Sequence, residues 1–150
     1  MKEIEKVAEI KVTYRPAISA KPIIRSSFDA YQVLKEFFEE NTIGLQEQFV
    51  VLYMNRSNRI LGVFPVSKGG ITGCLVDVRL ILSVALTTAT TGIMLAHNHP
   101  SGNLKPSRSD EEITLKIKEG CKYFDISVLD HIILSPIERQ YFSFADEGLI

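Results

Sequence analysis

TGIMLAHNHPSGNLKPSRSDEEITLKIKEGCKYF, residues 91–124, decides how the chain folds. Its opening apolar run suits a buried strand. His97 and His99 stand at the end of that run, and a loop rich in Pro, Gly and Ser extends over 98–109. Asp110, Glu111 and Glu112 then begin a segment whose acidic first turn suits a helix N-terminus, where unpaired amides carry partial positive charge. Ile113, Leu115, Ile117 and Cys121 keep only part of a helical spacing, so the acidic start carries more of that reading than the periodicity does. Strand, loop and helix in direct succession point to an α/β protein.

Working outward, EQFVVLYMN (47–55) and RILGVFPVS (59–67) are rich in β-branched and aromatic residues and meet at the turn NRSN, which predicts a hairpin. LVDVRLILSVALTTA (75–89) predicts a helix with its amino end near Asp77, and ISVLDHIILS (126–135) and RQYFSF (139–144) predict two more strands. Ser27 is placed to cap a helix over 28–40, in which Ala30, Val33, Leu34, Phe37 and Phe38 recur at helical spacing. EIKVTYRP (9–16) alternates apolar and polar residues like a short strand, and Pro16 and Pro22 then mark an irregular connection. The expected organisation is an amino-terminal arm, residues 1–25, followed by one domain, residues 26–150, with a mixed β-sheet flanked by α-helices.

Composition narrows the function classes. The chain has 150 residues, suited to one domain, and 17 Lys and Arg against 18 Asp and Glu leave a formal charge of -1. Without a basic run, nucleic-acid binding is expected to be at most weak and non-specific. The charged start MKEIEKVAEIKV lacks the apolar core of a secretion signal, so a cytoplasmic location without membrane attachment is expected. Cys74 and Cys121 lie far apart in apolar settings and are expected to be core thiols, as Phe37, Phe38, Phe49 and Tyr53 are expected to be core aromatics.

Residues two apart in a strand point to one face, so His97 and His99 can present both imidazoles to one point. That pair is a platform for a metal ion, and a carboxylate would complete a three-ligand site of the kind a catalytic zinc uses. Asp110 is the candidate, because the loop with Gly102 and two prolines can return the chain to the histidines. Two capping boxes compete for the helix start, Ser107 with Asp110 and Ser109 with Glu112. The Ser109 register is expected, because it leaves Asp110 free for the metal, and Ser107 could then donate its hydroxyl to a developing oxyanion. Hydrolysis at zinc also needs a base, and no HExxH supplies one. Glu47, at the start of a predicted strand, could face the end of a neighbouring strand, although on spacing alone it is one of many glutamates. The pair Asp130-His131 is read as structural, its histidine hydrogen-bonded rather than ligating.

EQFVVLYMN, the AL of SVAL, LAHNHPSGNLKPSRSD, LDHIIL and the ending SFADEGLI closely resemble the RadC-like family of the JAB1/MPN/Mov34 metalloenzyme superfamily, over roughly residues 28–150. The motif H-x-H-x7-S-x2-D is matched by His97, His99, Ser107 and Asp110. The resemblance implies a single JAB1/MPN-type, cytidine-deaminase-like α/β domain carrying a JAMM motif. It also implies one zinc ion (Zn2+) per chain on His97, His99 and Asp110, with Glu47 as general base and Ser107 as oxyanion donor. Active members of the superfamily are metallopeptidases, often cutting isopeptide bonds, so the implied activity is that of a zinc metalloprotease hydrolysing a peptide or isopeptide. The alternative is a non-catalytic or accessory module in DNA repair, recombination or anti-restriction. Two departures stand out: RadC-like proteins usually carry an amino-terminal helix-hairpin-helix region where this chain has its short arm, and Arg79-Leu80 stands where the family usually shows Arg-Glu. Substrate identity and oligomeric state are not readable from these residues.

Overall fold

A computed structural model describes residues 7–17, 21–69 and 75–150 of the chain. Five strands form one mixed sheet: β1 (Gln48–Met54), β2 (Ile60–Lys68), β3 (Gly92–Asn98), β4 (Ser127–Leu134) and β5 (Tyr141–Ser143), in the order β2-β1-β3-β4-β5. β1 pairs antiparallel with both β2 and β3, β3 runs parallel to β4, and β4 pairs antiparallel with β5. The parallel step requires a crossover, and helix α3 (Arg108–Lys122) supplies it. Helix α1 (Ser27–Leu34) precedes the sheet and α2 (Val78–Thr87) lies between β2 and β3.

Both central strands β1 and β3 are buried along their whole length, which explains their continuous apolar runs. Their alternate residues feed two cores. Val50, Leu52, Met54, Met94 and Ala96 pack with Ala30, Tyr31 and Leu34 of α1. Phe49, Val51, Tyr53, Ile93 and Leu95 pack on the other face with Ile81 and Ala85 of α2 and Ile117 and Cys121 of α3. Each aliphatic side chain so buried contributes about 1.5–3 kcal/mol, and together they fix the register that sends His97 towards α3 and Asn98 the opposite way.

Local chemistry sets the helix ends. Asp77 caps α2 by accepting the Arg79 amide, as the sequence reading placed it. For α1 the cap is Ser26 rather than Ser27, because Asp29 completes a capping box with it. The helix also stops early. A 3₁₀ turn over Lys35–Phe37 replaces its expected last turns, which turns Phe38 into the core and leaves Phe37 40% exposed. In α3 the inward stripe is Thr114, Ile117 and Cys121, while Leu115 is exposed, so a threonine occupies the position that made the apolar spacing look incomplete.

The strand expected at 9–16 is absent: residues 7–17 adopt no regular structure, and Val7, Ile10 and Val12 are 90%, 89% and 71% exposed. Alternation predicts a strand only if one face has something to bury against. Here the described contact is a hydrogen bond from the Tyr14 hydroxyl to the Leu61 carbonyl, 2.9 Å. Ile23 and Ile24 already belong to the domain, Ile23 bridging to Arg59 and Ile24 lying in the core. Burial pushes the Cys121 thiol up to about 11, in keeping with a core thiol, and Cys74 lies outside the described residues. Among the described residues no helix is long and apolar enough to cross a membrane.

Candidate metal centre

β3 ends where α3 begins. His97 is the penultimate residue of the strand, His99 follows it, and Asp110 lies in the first turn of the helix. Three ligand atoms, one from each residue, lie within 4.8 Å of one another and could hold a metal ion. His97 Nε2 and His99 Nε2 are 3.0 Å apart, Asp110 Oδ1 is 3.2 Å from His97 Nε2, and Asp110 Oδ2 is 3.1 Å from His99 Nε2.

The protonation states follow from the neighbours. His99 Nδ1 lies 2.6 Å from the carbonyl oxygen of Asn103. A carbonyl only accepts, so Nδ1 holds the proton and a neutral His99 turns its Nε2 lone pair towards the carboxylate. Lone pair and carboxylate repel at 3.1 Å unless a cation sits among the donors, either a proton on Nε2 or a metal ion. Burial works against a charged His99, but the hydrogen bonds it donates to Asp110 and the Asn103 carbonyl outweigh it and raise its pKa above the usual imidazole value. Burial also acts to raise Asp110, yet the imidazoles of His97 and His99 beside its two oxygens dominate and hold its carboxyl well below the usual carboxylate range. Two imidazole nitrogens and an ionised carboxylate make a donor set that fits a first-row divalent ion, and donor separations of 3.0–3.2 Å suit ligands around one ion at ~2.0–2.2 Å.

The capping register corrects the sequence reading. Ser107, not Ser109, caps α3: its hydroxyl oxygen accepts the Asp110 amide at 3.0 Å, and Asp110 Oδ2 accepts the Ser107 amide at 2.8 Å. The Ser109 register would be needed only if an acid bonded to a backbone amide were lost to a metal. A carboxylate has two oxygens and about four lone-pair sites, so Asp110 caps the helix and faces both histidines at once. Capping therefore places this candidate ligand instead of competing with it.

Glu47 and Ser107 line one cleft of about 430 Å³ together with His97, His99 and Asp110, and Phe49, Val76 and Ile113 form its apolar wall. Glu47 stands one residue before β1, and Asn98 fixes that segment. The buried Asn98 side chain accepts the Gln48 amide at 2.7 Å and donates to the carbonyls of Ile43 (2.8 Å) and Gln46 (2.9 Å). The residue between the two histidines therefore ties the strand end to the chain that carries Glu47. Sequence reading passed over Asn98, although strict alternation between two candidate ligands already sends it to the opposite face.

His131, set aside as a ligand, sits directly behind the site. It is fully buried on β4, with Nε2 2.7 Å from His97 Nδ1 and Nδ1 2.6 Å from the Thr114 hydroxyl. Burial pushes its pKa well below the usual value, keeping it neutral. Its neighbour Asp130 accepts the amides of His131 (2.7 Å) and Ala145 (3.0 Å) and the Ser143 hydroxyl (2.6 Å), anchoring the carboxy-terminal turn to β4.

Comparison with known proteins shows the family. A family model described as RadC-like JAB domain matches residues 24–149. A UPF0758 protein of Flavobacterium johnsoniae is 44% identical over 126 residues, covering 84% of this chain and 53% of that protein. UPF0758 proteins of Porphyromonas gingivalis and Aquifex aeolicus are each 36% identical over 127 residues, covering 85% of this chain and 54% and 52% of theirs. The chain thus spans about half the length of the curated relatives it matches. On the match over residues 24–149, which takes in both histidines, Ser107 and Asp110, the chain belongs to the RadC-like JAB domain family.

Proposed function

We propose that this domain is a zinc-dependent hydrolase acting on an amide or isopeptide bond, with His97, His99 and Asp110 holding the ion. The observation that carries the reading is the convergence of a three-donor site, a carboxylate and a hydroxyl on one cleft. Zinc, when bound, polarises a carbonyl and lowers the pKa of water towards ~7. The remaining work falls to the chain. Glu47 accepts a proton from the attacking water and passes it to the nitrogen as the carbon–nitrogen bond breaks, leaving a carboxylate and an amine. Ser107 uses a lone pair on the Asp110 amide and so keeps its own O–H to donate to the carbonyl oxygen as charge develops there. Phe49, Val76 and Ile113 supply an apolar wall against which the acyl chain packs and from which water is excluded.

Glu47→Gln tests the assignment, because it keeps size and hydrogen-bonding reach while removing the capacity to take a proton. Zinc content and folding stay at the parent's level, and turnover on a cleaved peptide or isopeptide substrate falls ~10²–10⁴-fold. Full activity in Glu47→Gln on a substrate that His97→Ala cannot cleave removes Glu47 as the base. Parent protein that holds zinc yet cleaves nothing across a broad peptide and isopeptide screen favours the other reading, a module whose metal only braces the loop over 98–109.

A further inference from the structure

We infer that Thr114 and His131 are positioning residues that determine which ring nitrogen of His97 carries the hydrogen, leaving Nε2 bare towards the ligand cluster; the inference rests on the metal-site reading above. Neither residue offers an atom to the ligand cluster; His131 contacts His97, and Thr114 the Asp110 carbonyl, from behind it. Thr114 Oγ1 is 2.6 Å from the backbone carbonyl of Asp110, one helical turn earlier. The hydroxyl has a single proton and the carbonyl has none, so the proton lies between them, the habitual back-bond of a helical threonine. Towards His131 Nδ1, also 2.6 Å away, Thr114 can then only accept, and Nδ1 must carry a hydrogen.

With its hydrogen on Nδ1 and no carboxylate at either ring nitrogen to hold a second one in a fully buried ring, His131 presents a bare Nε2 to His97 Nδ1 at 2.7 Å, which requires His97 to donate from Nδ1. The remaining nitrogen, His97 Nε2, is left with its lone pair directed at His99 and Asp110. Every group in this chain is buried, so water offers no alternative partner: His97, Thr114 and His131 are 3%, 4% and 0% exposed. The relay closes on itself, because the residue whose carboxylate completes the cluster also supplies the carbonyl that starts the proton ordering. Parallel pairing of β3 with β4 makes it possible by setting Leu95 opposite His131, which seats the His131 ring behind that of His97 on the α3 face.

The test reads two quantities on the full chain: the tautomer of His97 in metal-free protein, by long-range proton–nitrogen NMR of the imidazoles, and the affinity for Zn2+ in competition with a chromophoric chelator. Parent and Thr114→Ser hold His97 as the Nδ1–H tautomer and bind Zn2+ alike. Thr114→Val, which keeps the shape and removes the hydroxyl, loses that preference and binds Zn2+ about 10–100-fold more weakly. His131→Phe, which keeps a ring and removes the acceptor, gives the same result and replaces Thr114→Val should that variant not fold. Variants that lose thermal stability but keep both tautomer and affinity show a merely structural role and overturn the inference, as does a parent with its hydrogen on His97 Nε2. If the parent takes no Zn2+, the metal reading fails separately, and the tautomer in Thr114→Val decides the relay: lost preference supports it and retained preference overturns it.

Discussion

Asp110 has two tasks that two substitutions separate. Asp110→Ala removes the acceptor for the Ser107 amide (2.8 Å), the negative charge at the α3 N-terminus and the partner of both histidines. A lost hydrogen bond is worth about 0.5–1.5 kcal/mol and an anion at a helix start about 0.3–1 kcal/mol, so metal-free Asp110→Ala, which keeps the Ser107 cap, should be about 1–2.5 kcal/mol less stable than the parent. Asp110→Asn keeps an oxygen in the Oδ2 place for the Ser107 amide and puts its NH2 in the Oδ1 place, towards the His97 Nε2 lone pair, so it should stay within about 1 kcal/mol of the parent. Zinc separates parent from variants again. At a free concentration ~100 times Kd, binding adds ~2.7 kcal/mol to the parent, which at roughly 3 °C per kcal/mol for a chain of this size raises Tm by about 8 °C. Both variants should show almost none of that rise. The assay is thermal unfolding with and without Zn2+. An Asp110→Asn protein that gains as much from zinc as the parent refutes ligation by Asp110. Metal-free Asp110→Ala with parental stability refutes the capping argument.

Other perturbations probe the frame around the site. Asp130→Ala leaves the amides of His131 and Ala145 and the Ser143 hydroxyl without their acceptor and should cost about 2–4 kcal/mol by chemical denaturation, and Asp130→Asn clearly less. Burial raises the Asp130 carboxyl above its usual pKa, so its stabilisation is full below the unfolded value of ~3.9 and is lost as pH rises through the folded pKa. Asp130→Asn should therefore gain on the parent as pH rises across that window, and an unchanged difference would contradict the assignment. Gly102, with φ of 81° in the loop between His99 and Asp110, has room for a methyl group, the nearest atom being Ser135 Oγ at 3.6 Å, so Gly102→Ala should cost only the ~1–2 kcal/mol of left-handed backbone strain. A larger loss would show that the loop tolerates no added atom. With a formal charge of -1, the chain should bind duplex DNA weakly and lose binding as salt approaches ~0.15 M; tight, sequence-selective binding by this chain alone would contradict the charge argument.

The readable part of the site was the part written in local spacing. Alternation put His97 and His99 on one face, and the same rule read for Asn98 would have revealed the tie to the segment carrying Glu47. Asp110 is legible by type and distance along the chain, but the Ser109 register fails because capping a helix and facing two histidines are not exclusive uses of one carboxylate. His131 gave no local signal of its position, since its contact with His97 arises from the parallel pairing of strands 34 residues apart. The sheet and helices followed from apolar runs and caps. Residues 9–16 misled because alternation reports a face that could be buried, not a partner that buries it. Phe37 and Leu115 misled through type alone, one turned outward by a 3₁₀ ending and the other by a helix whose inward position is Thr114.

The central claim is that His97, His99 and Asp110 together hold one zinc ion. Elemental analysis of untagged protein, purified without chelators and compared with His97→Ala, His99→Ala and Asp110→Ala at equal concentration, measures it directly. The account predicts about one zinc per chain in the parent and a large loss in each variant, because two protein donors hold the ion far less tightly than three. Zinc absent from the parent after equilibration with excess Zn2+, or present undiminished in all three variants, would contradict it.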